Sequence, residues 1–407
     1  KKIIKKIFLG VEIKIMKLAD RLGLIPPYLF MQLRQKINKA KAEGKDVISL
    51  GVGDPVEPTP REVVEELYRA AQDPENHHYP TDEEKGMLSF RKAVAAWYLR
   101  KYGVSVDPAT EVLGLIGSKE GCHHFCLAVV NPGDYVLMTD PGYPAYRSSI
   151  LFAGGIPYSM PMKAENNYFP KYEDIPSDIL KKTKAMFLCY PNNPTGACAT
   201  KEFFAKTVEF AKSYNIAVCH DFPYSEIVFD GFRSPSILSV DGAKDVCVEL
   251  NSLSKPYNMT GWRIGMALGN KDLIAGISKV KENTDSGVFN AIQFAAIKAL
   301  ESCDKHIQEN IKIYNHRRKL VVDMLNKHGW NYTPPKGTFY LWIPTPKNMS
   351  AIEFTNFLFD ECNVVVAPGS AYGQYGEGYI RISVTVQEDR LIEAVNRIDK
   401  ALTKLTK

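Results

Sequence analysis

The chain has 407 residues, of which 45% are hydrophobic and 24% charged, as in an ordinary globular protein rather than a disordered or fibrous one. That length predicts about two to three structural units, and no apolar run reaches the roughly 18–20 residues that a bilayer span requires. The formal net charge is +5, but five lysines (Lys1, Lys2, Lys5, Lys6, Lys14) against Glu12 place +4 of it in residues 1–15. Nucleic-acid binding needs its basic excess on the folded body, so that class is excluded.

The opening stretch KKIIKKIFLGVEIKIM has the charge of a basic amphipathic anchor. Glu12 and Lys14 interrupt the apolar core that a signal peptide needs. The simpler reading takes residues 1–15 as an extension outside the fold, with Met16 as a candidate start. Residues 18–44 read as a helical arm leading into the loop Gly51-Val-Gly-Asp-Pro55. Apolar runs without polar alternation at 112–116, 135–138, 185–188, 216–219 and 246–250 predict strands buried on both faces. Helical stretches at 120–130 and 201–214 lie between them, and Asn131-Pro-Gly-Asp134 makes a turn after the first. This alternation predicts an α/β architecture with a mostly parallel sheet covered by helices.

Beyond about residue 300 the character changes. A charged helix over 305–327 precedes strand-like runs at 338–343, 364–366 and 379–384, which predict a smaller α+β unit. The division expected is an N-terminal arm with part of the small domain at 16–60, a large domain at 61–300, and a C-terminal small domain at 301–407.

The eight cysteines, at 122, 126, 189, 198, 219, 247, 303 and 362, form no CxxC pair. In a chain this long they read as reduced, mostly buried thiols of a cytoplasmic protein. The run Cys122-His-His-Phe-Cys126 sets both thiols on one helix face and points its histidines elsewhere. A helix packing thiols into the core is preferred to a metal centre, and no metal is expected.

Open parallel sheets bind ligands beyond the carboxyl ends of their strands. After the first strand, Gly117-Ser-Lys-Glu-Gly121 opens a helix and offers N–H groups and a favourable dipole to an anion such as phosphate. An ordinary helix-initiating turn explains the same residues. They form neither a Walker A loop nor a dinucleotide fingerprint, and Gly51-Val-Gly53 also fails the latter because position 56 is valine. At the end of the run 246–250 stands Ser252-Leu-Ser-Lys255, followed by Tyr257-Asn-Met-Thr-Gly-Trp-Arg263-Ile-Gly265. Ser252, Ser254 and Arg263 can converge on a dianionic phosphate. Lys255 amid that positive charge suits Schiff-base chemistry, because a lowered pKa frees the amine.

SLSKPYNMTGWRIG, residues 252–265, is similar to the lysine motif of the fold-type I pyridoxal-phosphate aminotransferases. Tyr190-Pro-Asn-Asn-Pro-Thr-Gly196, His220-Asp-Phe-Pro-Tyr224, and Arg381 within Tyr-Ile-Arg-Ile-Ser agree in order and approximate spacing, so the resemblance runs from about Ile25 to the C-terminus. It implies a mostly parallel seven-stranded sheet in the large domain and a homodimer with active sites at the interface. It further implies that Lys255 carries pyridoxal 5'-phosphate and acts as the base of the 1,3-proton transfer. Asp221 would pair with the pyridine nitrogen, Asn193 and Tyr224 would bond the phenolic oxygen, and Tyr143 would stack on the ring. Ser118 and Lys119, through backbone amides, would hold the phosphate with Ser252, Ser254 and Arg263. Arg381 would clamp the substrate α-carboxylate, beside Asn193 and the backbone of Gly53.

Within that family, Pro27-Tyr-Leu-Phe30, Gly117-Ser-Lys-Glu-Gly121, Asp140-Pro-Gly-Tyr-Pro-Ala-Tyr146, Tyr224-Ser-Glu-Ile227 and Asp285-Ser-Gly-Val-Phe-Asn290 resemble the LL-diaminopimelate aminotransferases. The resemblance implies contacts to a second amino-acid head from Tyr28 and Lys119. Asn290 would reach in from the partner subunit, or else occupy a surface helix position. The family tyrosine that reaches the neighbour's phosphate has a glycine five residues on, whereas here Tyr79 precedes Gly86 by seven. Glu83 and Glu84 fall in that longer stretch. A broader aminotransferase for aspartate, alanine or aromatic amino acids shares these motifs, and so does a C–S β-lyase on the same fold.

Overall fold

The computed structural model describes residues 16–25, 29–80, 85–347 and 349–405. Its strands run over Ile48–Ser49 (β1), Val112–Leu115 (β2), Tyr135–Asp140 (β3), Ile156–Pro161 (β4), Thr183–Cys189 (β5), Ala217–Asp221 (β6), Cys247–Ser252 (β7), Gly265–Gly269 (β8), Tyr340–Pro344 (β9), Val364–Val365 (β10), Ala367–Pro368 (β11) and Tyr379–Ser383 (β12). A seven-stranded sheet has the order β2-β8-β7-β6-β5-β3-β4, parallel except where β8 lies antiparallel between β2 and β7. Each central strand feeds two cores in alternation. In β5, Ala185, Phe187 and Cys189 enter one hydrophobic cluster, while Met186 and Leu188 enter the other. The helix Ser118–Val129 covers the first face with Cys122, Phe125 and Cys126, and Lys201–Tyr214 and Asn290–Ser302 cover the second.

The expected helix over 201–214 matches at both ends because its stops are local. The Thr200 hydroxyl accepts from the Phe203 N–H at 3.2 Å, and Asn215 takes the left-handed conformation that closes the last turn. The helical arm expected over 18–44 is instead a short 3-10 turn, Asp20–Leu24, and a helix over Leu29–Ala42. Pro26-Pro27, which offers no backbone N–H, stands between them in the sequence. The short β1 went unread, and so did two strands of the large sheet. β4 is a half-exposed edge strand containing Pro157 and Pro161, and β8, Gly-Met-Ala-Leu-Gly, is short and framed by glycines.

The C-terminal part holds an antiparallel sheet of order β11-β12-β9, with the helices Asp304–Lys327, Ala351–Cys362 and Glu388–Leu405. The run 364–366 divides because the chain changes partner, β10 pairing with β1 and β11 with β12. Leu50, just past β1, donates to Val365 O at 2.7 Å and accepts from the Ser383 N–H at 2.8 Å, which ties the chain's first strand to its last. None of the helices described is long and apolar enough to cross a membrane.

Candidate active site

The carboxyl ends of β2, β5, β6 and β7 open into a cavity of about 350 Å³ that Gly53 and Tyr340 also line. Both β6 and β7 run further than their apolar character suggests, so that Asp221 is the last residue of one and Ser252 the last of the other. Asp221 and Ser252 are therefore set by sheet hydrogen bonds rather than by a loose loop.

Lys255 projects into this cavity and its Nζ donates to Gly53 O at 2.8 Å. Burial of the ammonium lowers its pKa to about 8. Arg381 and Arg263 push in the same direction, and Asp54 opposes them. A deprotonated, nucleophilic amine is thus accessible near neutral pH. Arg263 sits in a left-handed conformation, φ 55°, and donates to Thr260 O at 2.8 Å and Ile116 O at 3.3 Å. Gly117 precedes the helix Ser118–Val129 at φ 82°, and a Cβ there would lie 2.2 Å from Arg263 Nη2. Glycine at this φ leaves room for the guanidinium beside Ser252, Ser254 and the helix N-terminus. All of them line the cavity.

Asp221 is buried, and its pKa is raised by desolvation to about 6, against the pull of the Tyr146 hydrogen bond and of His220. Tyr146 donates to Oδ2 at 2.7 Å, whereas Oδ1 has no partner in the protein. A buried carboxylate oxygen left open at a cavity wall calls for a donor from a ligand, and a protonated ring nitrogen supplies one. Tyr146 also stacks on Phe187, with centroids 4.8 Å apart, and holds Tyr143 edge-to-face at 5.7 Å, which steadies Tyr143 as one wall of the cavity.

Arg381 is fully buried. It donates to Asn193 Oδ1 at 2.7 Å and to Gly51 O at 2.8 Å, and its guanidinium lies 3.9 Å from the Tyr340 ring centroid and 4.9 Å from that of Tyr372. The Tyr224 hydroxyl lies 3.1 Å from that of Tyr340, and burial raises its pKa well above the usual phenol range. Gly53 is required here for space: a Cβ would fall 1.9 Å from the Tyr340 hydroxyl.

The structure thus gathers Gly53, Ser118, Lys119, Tyr143, Asn193, Asp221, Tyr224, Ser252, Ser254, Lys255 and Arg263 around one cavity, with Arg381 bonded to Asn193 at its edge. Lys119 and Tyr143 also line an adjoining cavity of about 950 Å³ beside Asp140, Arg147 and Gln374. Tyr79 is exposed and outside the lining. Asn290 begins its helix buried rather than on the surface, with its side-chain oxygen accepting from Gln293 at 3.4 Å. Tyr28, Glu83 and Glu84 lie outside the described residues. Sequence reading gave no site role to Arg34, Asp54, Tyr146 or Tyr340. The first comes from the arm, the second follows Gly53, the third sits one turn after Tyr143, and the fourth opens β9 with no motif to mark it.

His124 is buried, and with Glu120 and Asp285 it forms a cluster whose ligand atoms lie within 4.8 Å of one another. The ammonium of Lys281 already fills the cation's place, 2.8 Å from Glu120 and 2.6 Å from Asp285. Cys122 and Cys126 are both buried in the core, as expected.

Lys255 past the end of a mostly parallel sheet, a helix N-terminus beside Ser252, Ser254 and Arg263, and the buried Arg381 stand together in this region. The chain belongs to the family Aminotransferase class I and II, whose profile matches residues 45–398. It is 48% identical over 390 residues to the LL-diaminopimelate aminotransferase of Moorella thermoacetica, covering 96% of this chain and 100% of that protein. To the LL-diaminopimelate aminotransferase of Aquifex aeolicus it is 51% identical over 380 residues, covering 93% and 98%. Among solved structures, substrate-bound BacF from Bacillus subtilis superposes with a TM-score of 0.91 at 37% identity, covering 95% of this chain and 98% of that one. Aspartate aminotransferase from Thermotoga maritima gives 0.87 at 31% identity, covering 95% and 100%.

Proposed function

We propose that this transaminase moves the amino group of LL-diaminopimelate to 2-oxoglutarate, a step of lysine biosynthesis, with pyridoxal 5'-phosphate bound at Lys255. The observation that carries the substrate assignment is identity of 48% and 51%, over nearly the whole chain, to relatives that bear that name. The donor set supports the cofactor. Ser252, Ser254, Arg263 and the amides of Ser118 and Lys119 suit its phosphate, the open Asp221 oxygen suits its ring nitrogen, and Asn193 and Tyr224 suit its phenolic oxygen. Tyr143 provides the ring-stacking wall. Once bound, this cofactor supplies an electron sink for the substrate's Cα bond.

The protein's own groups then have defined tasks. Arg381, fixed by Asn193 and Gly51, holds the α-carboxylate with the Gly53 backbone, and so decides which Cα bond is aligned for cleavage. Lys255, as the free amine, would take the proton from Cα; its pKa of about 8 leaves part of it neutral at physiological pH. Asp221 keeps its charge by pairing with a ring cation, which offsets the burial that raises its pKa. At the far end of the substrate, Tyr28 and Lys119 would bind the second head group together with Asn290 of a second copy, and Tyr79 would reach that copy's phosphate. The exposed Val56, Val64, Tyr68, Tyr79 and Phe289 support a homodimer, and the free, mostly buried thiols suit a cytoplasmic setting. In this reading the chain divides into an arm with part of the small domain at 16–60, a large domain at 61–300 and a small domain at 301–407.

The test is a half-reaction panel with no co-substrate. Loss of the cofactor's visible absorption on mixing with low LL-diaminopimelate, but not with aspartate or alanine, is the expected outcome. Rapid conversion by aspartate would identify a broader aminotransferase, and pyruvate release from cysteine-like substrates a lyase.

A further inference from the structure

Tyr340 touches both halves of the site. Its ring lies 3.9 Å beneath the Arg381 guanidinium, its hydroxyl is 3.1 Å from that of Tyr224, and it fills the space over Gly53 that a Cβ would need. It is 3% exposed and held at the start of β9, whose register is fixed by pairing with Ser383 of β12. Two residues on, Arg381 pairs in the same ladder with Trp342, so the same register places the ring and the guanidinium together.

We propose that Tyr340 is a positioning residue with two separable duties: its ring is the shelf that aims Arg381 at the substrate carboxylate, and its hydroxyl donates to Tyr224. This rests on the reading in which Tyr224 bonds the cofactor's phenolic oxygen. If the Tyr224 proton is committed to that oxygen, the proton shared between the two tyrosines belongs to Tyr340. A donor at the Tyr224 oxygen makes its O–H the stronger donor in turn. It thereby favours the deprotonated phenolic oxygen. Arg381 and Cys189 also act on Tyr224, Asp221 and Lys255 line the same cavity, and the Arg381 guanidinium lies over the Tyr340 ring. The ring, for its part, satisfies the flat face of a buried cation that hydrogen bonds along its edge leave bare.

Two variants of the cofactor-loaded enzyme separate these duties. Tyr340→Phe keeps the shelf and removes the hydroxyl. The pH midpoint of the cofactor's visible absorption is expected to rise by about half a unit, with KM for amino acid and keto acid within about twofold of the parent. Tyr340→Leu removes both, and KM is expected to rise about tenfold along with the same shift of midpoint. A Tyr340→Phe enzyme that titrates like the parent overturns the hydroxyl's duty, and a Tyr340→Leu enzyme with unchanged KM overturns the shelf. Failure of the parent enzyme itself to show any visible absorption with added pyridoxal phosphate would instead overturn the cofactor reading.

Discussion

The two ends of the cavity are built differently. The anion cup is local: Ser252, Ser254, Lys255 and Arg263 lie within twelve consecutive residues, and only the helix start at Gly117–Ser118 comes from elsewhere. The carboxylate end is assembled from afar, with Arg381 meeting Gly51, Asn193, Tyr340 and Tyr372 from four separate stretches of chain. A local cup can be lost by one backbone change, whereas the distant assembly should fail by degrees.

Four substitutions sharpen that contrast. The largest effect is expected from Lys255→Ala, with turnover down about 10⁴-fold and pyridoxal phosphate still bound without a covalent link. Borohydride reduction of the parent enzyme should label Lys255, and a label on any other lysine would refute the assignment. Gly117→Ala should come next, because a side chain at φ 82° also meets Arg263. Cofactor affinity should drop about a hundredfold by equilibrium titration, and an unchanged affinity would mean that the cup is not rigid. Arg381→Ala should raise KM for amino-acid and keto-acid substrates about 10- to 100-fold, with cofactor affinity little altered. Equal losses in both measurements would erase the distinction between the two ends.

The smallest effect is a gain in stability. The Asp221 pKa is raised in the folded chain to about 6. The folded form therefore binds more protons than the unfolded form between about pH 4 and pH 6, and stability falls as pH rises through that window. Asp221→Asn removes the penalty. The cofactor-free variant should be more stable than its parent by of order 2 kcal/mol at pH 8, and by nothing near pH 4. Urea unfolding at the two pH values checks the sign, and a gain that persists at pH 4 would point to packing instead.

Much of this was legible in the residues themselves. The strands carrying Asp221 and Ser252 announce themselves as apolar runs, and the helix over Lys201–Tyr214 carries its own stop signals in Thr200 and Asn215. β4 and β8 were not legible, because prolines and flanking glycines weaken strand signals that neighbouring strands restore. Tyr146 and Tyr340 look like ordinary core tyrosines in sequence.

The sequence alone determined the chemistry, since a lysine among hydroxyls and an arginine can be recognised wherever the elements are local and short-range. Only the tertiary structure decided which groups face one another. Which carboxylate oxygen of Asp221 stays open, why positions 53 and 117 must be glycine, and what supports Arg381 all depend on approaches of a few ångströms between distant segments. Hydrophobic burial and strand pairing set those distances over the whole chain, and no single stretch of residues records them.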